Sequence, residues 1–151
     1  MPVEIAVTRA GPHDAASMAA IHGSAFAKAW DEAAMQQFLA APDTLCLIGS
    51  VAESSGGMMG GLLIARKAVD EAEILTFCVA PACRNAGLGR ALLEAAMTSL
   101  RSSGARQLFL EVEAGNEAAL ALYRSLGAVA VGQRPGYYEH GADAAIFSLA
   151  L

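Results

Sequence analysis

Arg84-Asn85-Ala86-Gly87-Leu88-Gly89 stands between an apolar run, Ile74-Leu75-Thr76-Phe77-Cys78-Val79-Ala80-Pro81, and a segment with Leu88, Leu92, Ala96 and Leu100 at helical spacing. That pattern calls for a strand, a glycine turn and an amphipathic helix in direct succession. Glycines let backbone come close to a ligand. The start of the helix then presents unpaired N–H groups and the positive end of the helix dipole to an anion. A pyrophosphate suits this arrangement, and Arg84 and Arg90 can add charge-assisted bonds. Two other glycine loops do not fit. A Walker loop needs Gly-Lys-Ser/Thr, which the chain lacks. A dinucleotide fingerprint belongs early in a βαβ unit, whereas this loop lies past the middle of the chain. By itself the hexapeptide also fits a plain helix-opening turn.

The flanking sequence is read in the same way. Residues 3–9 alternate and predict a strand. His13 to Ala27 predicts a helix with Met18, Ile21 and Phe26 on its apolar side, and Asp31 caps a second helix to Leu39 carrying Met35, Phe38 and Leu39. Thr44 to Glu53 and Met58 to Lys67 predict a hairpin around Ser54-Ser55-Gly56-Gly57, with SSGGMMGG as its flexible turn. Glu71 to Val79 is a strand stopped by Pro81, and the long helix runs from about Gly87 to Ser103, ended by Gly104. Gln107 to Glu113 is a strand, and Asn116 caps a helix ending at Gly127. Strands at about Ala128–Arg134 and Ala144–Leu149 complete the order β-α-α-β-β-β-α-β-α-β-β. No linker, repeat or low-complexity tract interrupts it, so residues 1–151 are expected to form one domain.

Composition narrows the function classes. The 151 residues include no apolar run near the roughly 18 of a membrane span. The N-terminus MPVEIAVTRAG lacks a charged-then-apolar signal layout. A cytoplasmic location without membrane association is expected. Cys46, Cys78 and Cys83 are odd in number and lack Cys-x-x-Cys spacing, and His13, His22 and His140 show no metal-ligand spacing. Neither a disulfide framework nor a metal is expected. A net charge of −5 argues against nucleic acid as a general partner and is compatible with a cationic substrate.

The segment Ile74 to Pro81 followed by Arg84 to Gly89 resembles the acetyl-CoA motif of the GNAT superfamily of N-acetyltransferases, whose usual form is Arg/Gln-x-x-Gly-x-Gly/Ala. Leu110-Glu111-Val112, then Asn116, then Ala121-Leu122-Tyr123, then Leu126-Gly127-Ala128 follow in an order similar to the second half of the same superfamily. The resemblance extends to Ala29-Trp30-Asp31 and Arg134-Pro135-Gly136-Tyr137-Tyr138. In that span it is strongest to the members that acetylate the N-terminal alanine of a small-subunit ribosomal protein. Where the family often has Phe after the Leu-Gly pair, this chain has Ala128, a change of packing rather than of chemistry.

The resemblance implies an α/β (α+β) GNAT fold: a mixed, mostly antiparallel sheet of six or seven strands, splayed at the acetyl-CoA site, with helices on both faces. It implies acetyl-CoA as co-substrate and an amine acceptor, with a ribosomal-protein N-terminus as the favoured partner and a monomer or homodimer as the enzyme. Backbone around Phe77, Cys78 and Val79 would pair with the pantetheine arm and polarise the thioester carbonyl. Arg84, Asn85, Ala86, Gly87, Leu88, Gly89 and Arg90 would hold the pyrophosphate, and Asn116 would contact the cofactor arm. Glu111 would be the base and Tyr123 the acid, with Glu73 a rival base. Asn116 and Tyr123, seven residues apart, share a helical face. An N-terminal amine has a pKa of about 7.7–8.0 against about 10.4 for Lys, so neutral Lys is roughly 3.4 kcal/mol harder to obtain. A modest base therefore suffices for an N-terminus. A GNAT enzyme of lysine or of a small amine, and a non-catalytic acyl-CoA-binding module, remain as alternatives; the segments Ala27–Asp31 and Gly136–Asp143 are expected to shape the acceptor site.

Overall fold

A computed structural model describes residues 4–53, 56–137 and 141–151. Val3, Ser54, Ser55, Tyr138 and His140, which figure in the expectations above, lie outside the described residues. The strands are β1 (Glu4–Arg9), β2 (Thr44–Glu53), β3 (Gly56–Ala68), β4 (Glu71–Val79), β5 (Gln107–Glu113), β6 (Val129–Arg134) and β7 (Ala144–Ala150). The helices are α1 (Ala15–Ala25), α2 (Glu32–Ala40), α3 (Leu88–Ser102) and α4 (Glu117–Ser125). Element order and type follow the sequence reading throughout, and the boundaries move for local reasons. Pro12 opens a single 3-10 turn over Pro12–Asp14, so α1 starts at Ala15 rather than His13. The chain turns extended at Phe26, which leaves the helix face assigned to it and is 41% exposed. Asp31 caps α2 by accepting the Ala34 N–H at 2.9 Å, and Asn116 caps α4 by accepting that of Ala119 at 3.2 Å.

The strands form one sheet in the order β1-β2-β3-β4-β5-β7-β6. Every neighbouring pair is antiparallel except β4 with β5. A parallel pair needs a crossover, and α3 supplies it. On one face α3 and α4 cover a core that includes Leu63, Leu88, Leu92, Leu108, Leu110 and Phe147. On the other face α1 and α2 cover a second core around Met18, Met35, Ile48, Leu62 and Cys78. Leu88, Leu92, Ala96 and Leu100 are buried as the helical stripe predicts, and Leu93 joins them. Each buried leucine contributes on the order of 1.5–3 kcal/mol.

The glycines of SSGGMMGG do more than turn the chain, which corrects the reading of that tract. Gly56 onward is already β3. Gly61 pairs with Gly49 of β2, and a Cβ on either would lie 2.6 Å from a leucine methyl of α3, Leu92 for Gly61 and Leu88 for Gly49. The two glycines let the first turns of α3 sit directly on the sheet. Gly60 is the extra residue of a bulge, since Gly49 faces Gly61 while Ser50 faces Met59. A Cβ there would meet Cys83 at 2.2 Å from Sγ and 2.8 Å from Cβ. The 3-10 turn Pro81–Cys83 therefore rests on bare backbone. Gly60→Ala is expected to force that turn off the sheet and destabilise the protein by about 1–3 kcal/mol, the usual range for overpacking, read as a lower urea midpoint; an unchanged midpoint would show that the turn moves at no cost.

Candidate active site

β4 and β5 pair over only three residues each, Glu71–Glu73 against Gln107–Phe109. Beyond them β4 stays paired with β3 and β5 stays paired with β7 out to Glu113. The sheet thus opens into a wedge between Ile74–Val79 and Leu110–Glu113. Among the described residues the β5-facing edge of β4 has no strand partner there, so its peptide groups face the gap. Leu75 is an extra residue in the β3–β4 register, because Ile64 faces Thr76 while Ala65 faces Ile74. A bulge at this point bends β4 away from its neighbour.

The glycine loop lies at the far end of β4. Asn85 and Gly87 both have left-handed backbone, with φ of 64° and 87°. That geometry suits Gly87, while Asn85 is one of the few side chains that tolerate it. Gly87 is the N-cap of α3 and supplies no side-chain cap, so the first N–H groups of α3 remain available to an anion. Leu88 is buried and anchors the loop. Gly89 faces Phe77 and Val79, whose side chains would lie 3.6 Å from an added Cβ. The two arginines have structural partners of their own. Arg84 Nε donates to the Val79 carbonyl at 3.1 Å, while Arg90 pairs with Glu94 at 2.7 Å and bonds Ser125 at 3.0 Å, tying α3 to α4.

Tyr123 comes to the wedge from the α3–α4 face. It is 5% exposed, with its ring centroid 6.4 Å from that of Phe77 on β4 and 6.3 Å from that of Phe147 on β7. Asn116 is exposed at the start of the same helix. Cys78 points the other way, into the core under α1 and α2, so only its backbone can serve a ligand in the gap. Burial pushes its thiol up to about 11, against a weaker opposing pull from Arg84, which makes it a poor nucleophile.

Glu111 lies on the opposite face from Tyr123. Leu108, Leu110 and Val112 are buried against α3 and α4, and Glu111 alternates with them. It faces a cleft of about 290 Å³ lined by residues that include Arg66, Glu71, Glu73, Phe109 and Arg134. Its Oε1 is 3.2 Å from Arg134 Nη1. Glu73, the last paired residue of β4, is exposed on the same cleft. The structure brings both candidate carboxylates to one side of the wedge and Tyr123 with the loop to the other. The Arg134 contact was not legible in the sequence.

The sequence matches the profile of the Acetyltransferase (GNAT) family across residues 15–128. The chain belongs to the GNAT family. It is 39% identical over 101 residues to the [ribosomal protein bS18]-alanine N-acetyltransferase of Escherichia coli strain K12, spanning 65% of this chain and 68% of that protein. It is 38% identical over 120 residues to the N-alpha-acetyltransferase RimI of Mycobacterium tuberculosis, spanning 76% of this chain and 72% of that one. The crystal structure of the ribosomal-protein-S18-alanine N-acetyltransferase from Escherichia coli superposes with a TM-score of 0.84 at 31% identity, covering 97% of this chain and 94% of that one. Arabidopsis thaliana NAA60 in complex with acetyl-CoA shares the fold at a TM-score of 0.85 and 18% identity. The protein is accordingly an acetyl-CoA-using N-acetyltransferase. Among the described residues no helix is long and apolar enough to cross a membrane.

A buried histidine organises the connection between α1 and α2 in this GNAT chain. His22 is 3% exposed, and its Nδ1 accepts the Trp30 N–H at 3.0 Å. Its ring stacks on Trp30 at 4.8 Å and touches Phe26 at 4.5 Å. Burial lowers its pKa from the ordinary 6.5. The unfolded chain therefore takes up this proton at a higher pH than the folded one. The stability His22 contributes is complete above pH 6.5 and is lost as pH falls from there through the folded value. The melting temperature should drop across that window, and His22→Gln should flatten the drop; equal slopes for both proteins would remove His22 as its source.

Proposed function

We propose that this single domain transfers acetyl groups from acetyl-CoA to the N-terminal α-amine of a protein, in the cytoplasm, with an alanine-initiated ribosomal protein as the substrate the named relatives point to. The observation that carries the reading is the wedge between β4 and β5, which joins the glycine loop on one face to the carboxylate-lined cleft on the other.

Acetyl-CoA supplies an acetyl carbon activated as a thioester. The unpaired edge of β4 around Phe77, Cys78 and Val79 offers peptide groups to its pantetheine arm and fixed donors to the charge that develops on the carbonyl oxygen. Residues Arg84 to Gly89 hold the pyrophosphate through the free N–H groups at the start of α3. Arg90, engaged by Glu94 and Ser125, sets the α3–α4 spacing as well as adding positive charge. Asn116 contacts the cofactor arm from the start of α4.

Glu111 accepts the proton of the incoming ammonium, directly or through a water, and the freed lone pair forms the C–N bond. The C–S bond breaks, the Tyr123 hydroxyl gives its proton to the departing sulfur, and the second proton lost from the nitrogen passes through solvent to restore that hydroxyl, leaving an amide and the CoA thiol. Transfer is direct, because the cysteine on the wedge is inward-facing and its thiol is raised to about 11. The cleft carries three carboxylates against two guanidiniums, a small negative excess that favours a cationic acceptor.

Three experiments test this. A peptide beginning with Ala and carrying an internal Lys should be acetylated at its N-terminus, with the product site mapped by mass spectrometry; modification of Lys alone, or of spermidine in preference to the peptide, would overturn the N-terminal substrate. On that peptide Glu111→Gln should lose more kcat than Glu73→Gln. The loss should shrink as pH rises past about 8, where the amine is neutral without help; the reverse order would move the base to Glu73. Tyr123→Phe should lower kcat by about 10²–10⁴, the range for a lost proton donor, with the KM for acetyl-CoA little changed, whereas near-normal turnover would leave Tyr123 a core aromatic.

A further inference from the structure

Glu111 and Arg134 meet across an intervening strand. Glu111 on β5 faces Ile146 on β7, and Ile146 faces Gly132 on β6, so these three form one row on the cleft side of the sheet. Glu113, Ala144 and Arg134 form the next row. Arg134 reaches diagonally over β7 to Glu111, and Gly132, with no side chain, leaves the path open. The parity of Arg134 depends on a bulge. Ala130 faces Phe147 while Gly132 faces Ile146, so Val131 is an extra residue. If β6 paired without the bulge, Val131 would face Ile146, every later residue would change face, and Arg134 would point away from the cleft.

We propose that Arg134 is a positioning residue for Glu111, holding its carboxylate in the orientation needed to take the acceptor's proton. The proposal rests on the reading of Glu111 as the base. The contact is made through Oε1, and Oε2 would meet the amine or a bridging water. Arg134 is itself braced: its guanidinium carbon lies 5.3 Å from the centre of the Tyr137 ring. The two side chains are 54% and 29% exposed, and an ion pair so open contributes little to stability. Its consequence is geometric. Arg134 meets its partner through one end of a rigid, planar guanidinium and rests on an aromatic face, two properties that Lys reproduces only in part. The same stack connects the base to the turn after β6, so an acceptor that contacts Tyr137 acts on Glu111 through Arg134.

The test is a double-mutant cycle on the full chain, with the Ala-initiated peptide and saturating acetyl-CoA. Arg134→Ala should lower kcat by about 10- to 100-fold, the scale of a misplaced reacting group, without changing the KM for acetyl-CoA or the melting temperature. Arg134→Lys should recover part of that loss. In a Glu111→Gln background Arg134→Ala should cost nothing more, since the group it positions can no longer take a proton. Wild-type turnover by Arg134→Ala would overturn the proposal. So would a loss of equal size in both backgrounds, which would show Arg134 acting independently of Glu111 while leaving the base in place. Wild-type turnover by Glu111→Gln itself would remove the base and the positioning role together.

Discussion

Beyond the Glu73–Phe109 pair, β4 and β5 no longer hydrogen-bond to each other, although both remain in one sheet. Backbone groups inside a protein rarely go unpaired. This opening persists because each strand is held on its other side, β4 by β3 and β5 by β7, and because helices on both faces bury the flanking side chains. The unpaired peptide groups are what an extended, amide-bearing ligand can satisfy. The wedge is at once the place where β4–β5 pairing stops and the gap between the two faces on which the candidate catalytic groups are divided.

Three register irregularities shape what surrounds that passage. The extra residue Gly60 in β3 carries no side chain and lets Cys83 settle on the sheet, which sets the starting point of the Arg84–Gly89 loop. The extra residue Leu75 in β4 falls two residues past the last β4–β5 pair. The extra residue Val131 in β6 turns Arg134 to the side of Glu111. Each bulge costs local pairing and re-aims a segment that lines the site. The glycine pair Gly49 and Gly61 complements them by bringing α3 close to the sheet, where Gly89 in its first turn faces Phe77 and Val79.

Most elements were legible in the sequence because they follow from local periodicity. The stripe Leu88, Leu92, Ala96 and Leu100 is buried as its spacing requires, and the alternation of β5 correctly places Glu111 opposite Leu110 and Val112. Caps at Asp31 and Asn116 were equally local. Misreadings occurred where a neighbour in space decides the outcome. Phe26 matches a helical stripe but leaves it, because its ring packs on His22 once the chain has turned. Gly60 and Gly61 look like part of a turn, and only the Pro81–Cys83 turn lying on the first and α3 lying on the second show why side chains are excluded.

By itself the sequence determined the order of elements, the glycine loop at the head of an amphipathic helix and the presence of Glu111, Glu73 and Tyr123 within a family pattern, all of which depend on residue type and short-range spacing. Only the tertiary structure decided where β4 and β5 part, that the carboxylates and Tyr123 occupy opposite sides of the gap, and that Arg134 pairs with Glu111. These depend on strand register, and a shift of one residue in the pairing reverses which face a side chain occupies. No local pattern in Val129 to Arg134 records the bulge at Val131, because it is defined by the partner strand β7 and not by the segment that contains it.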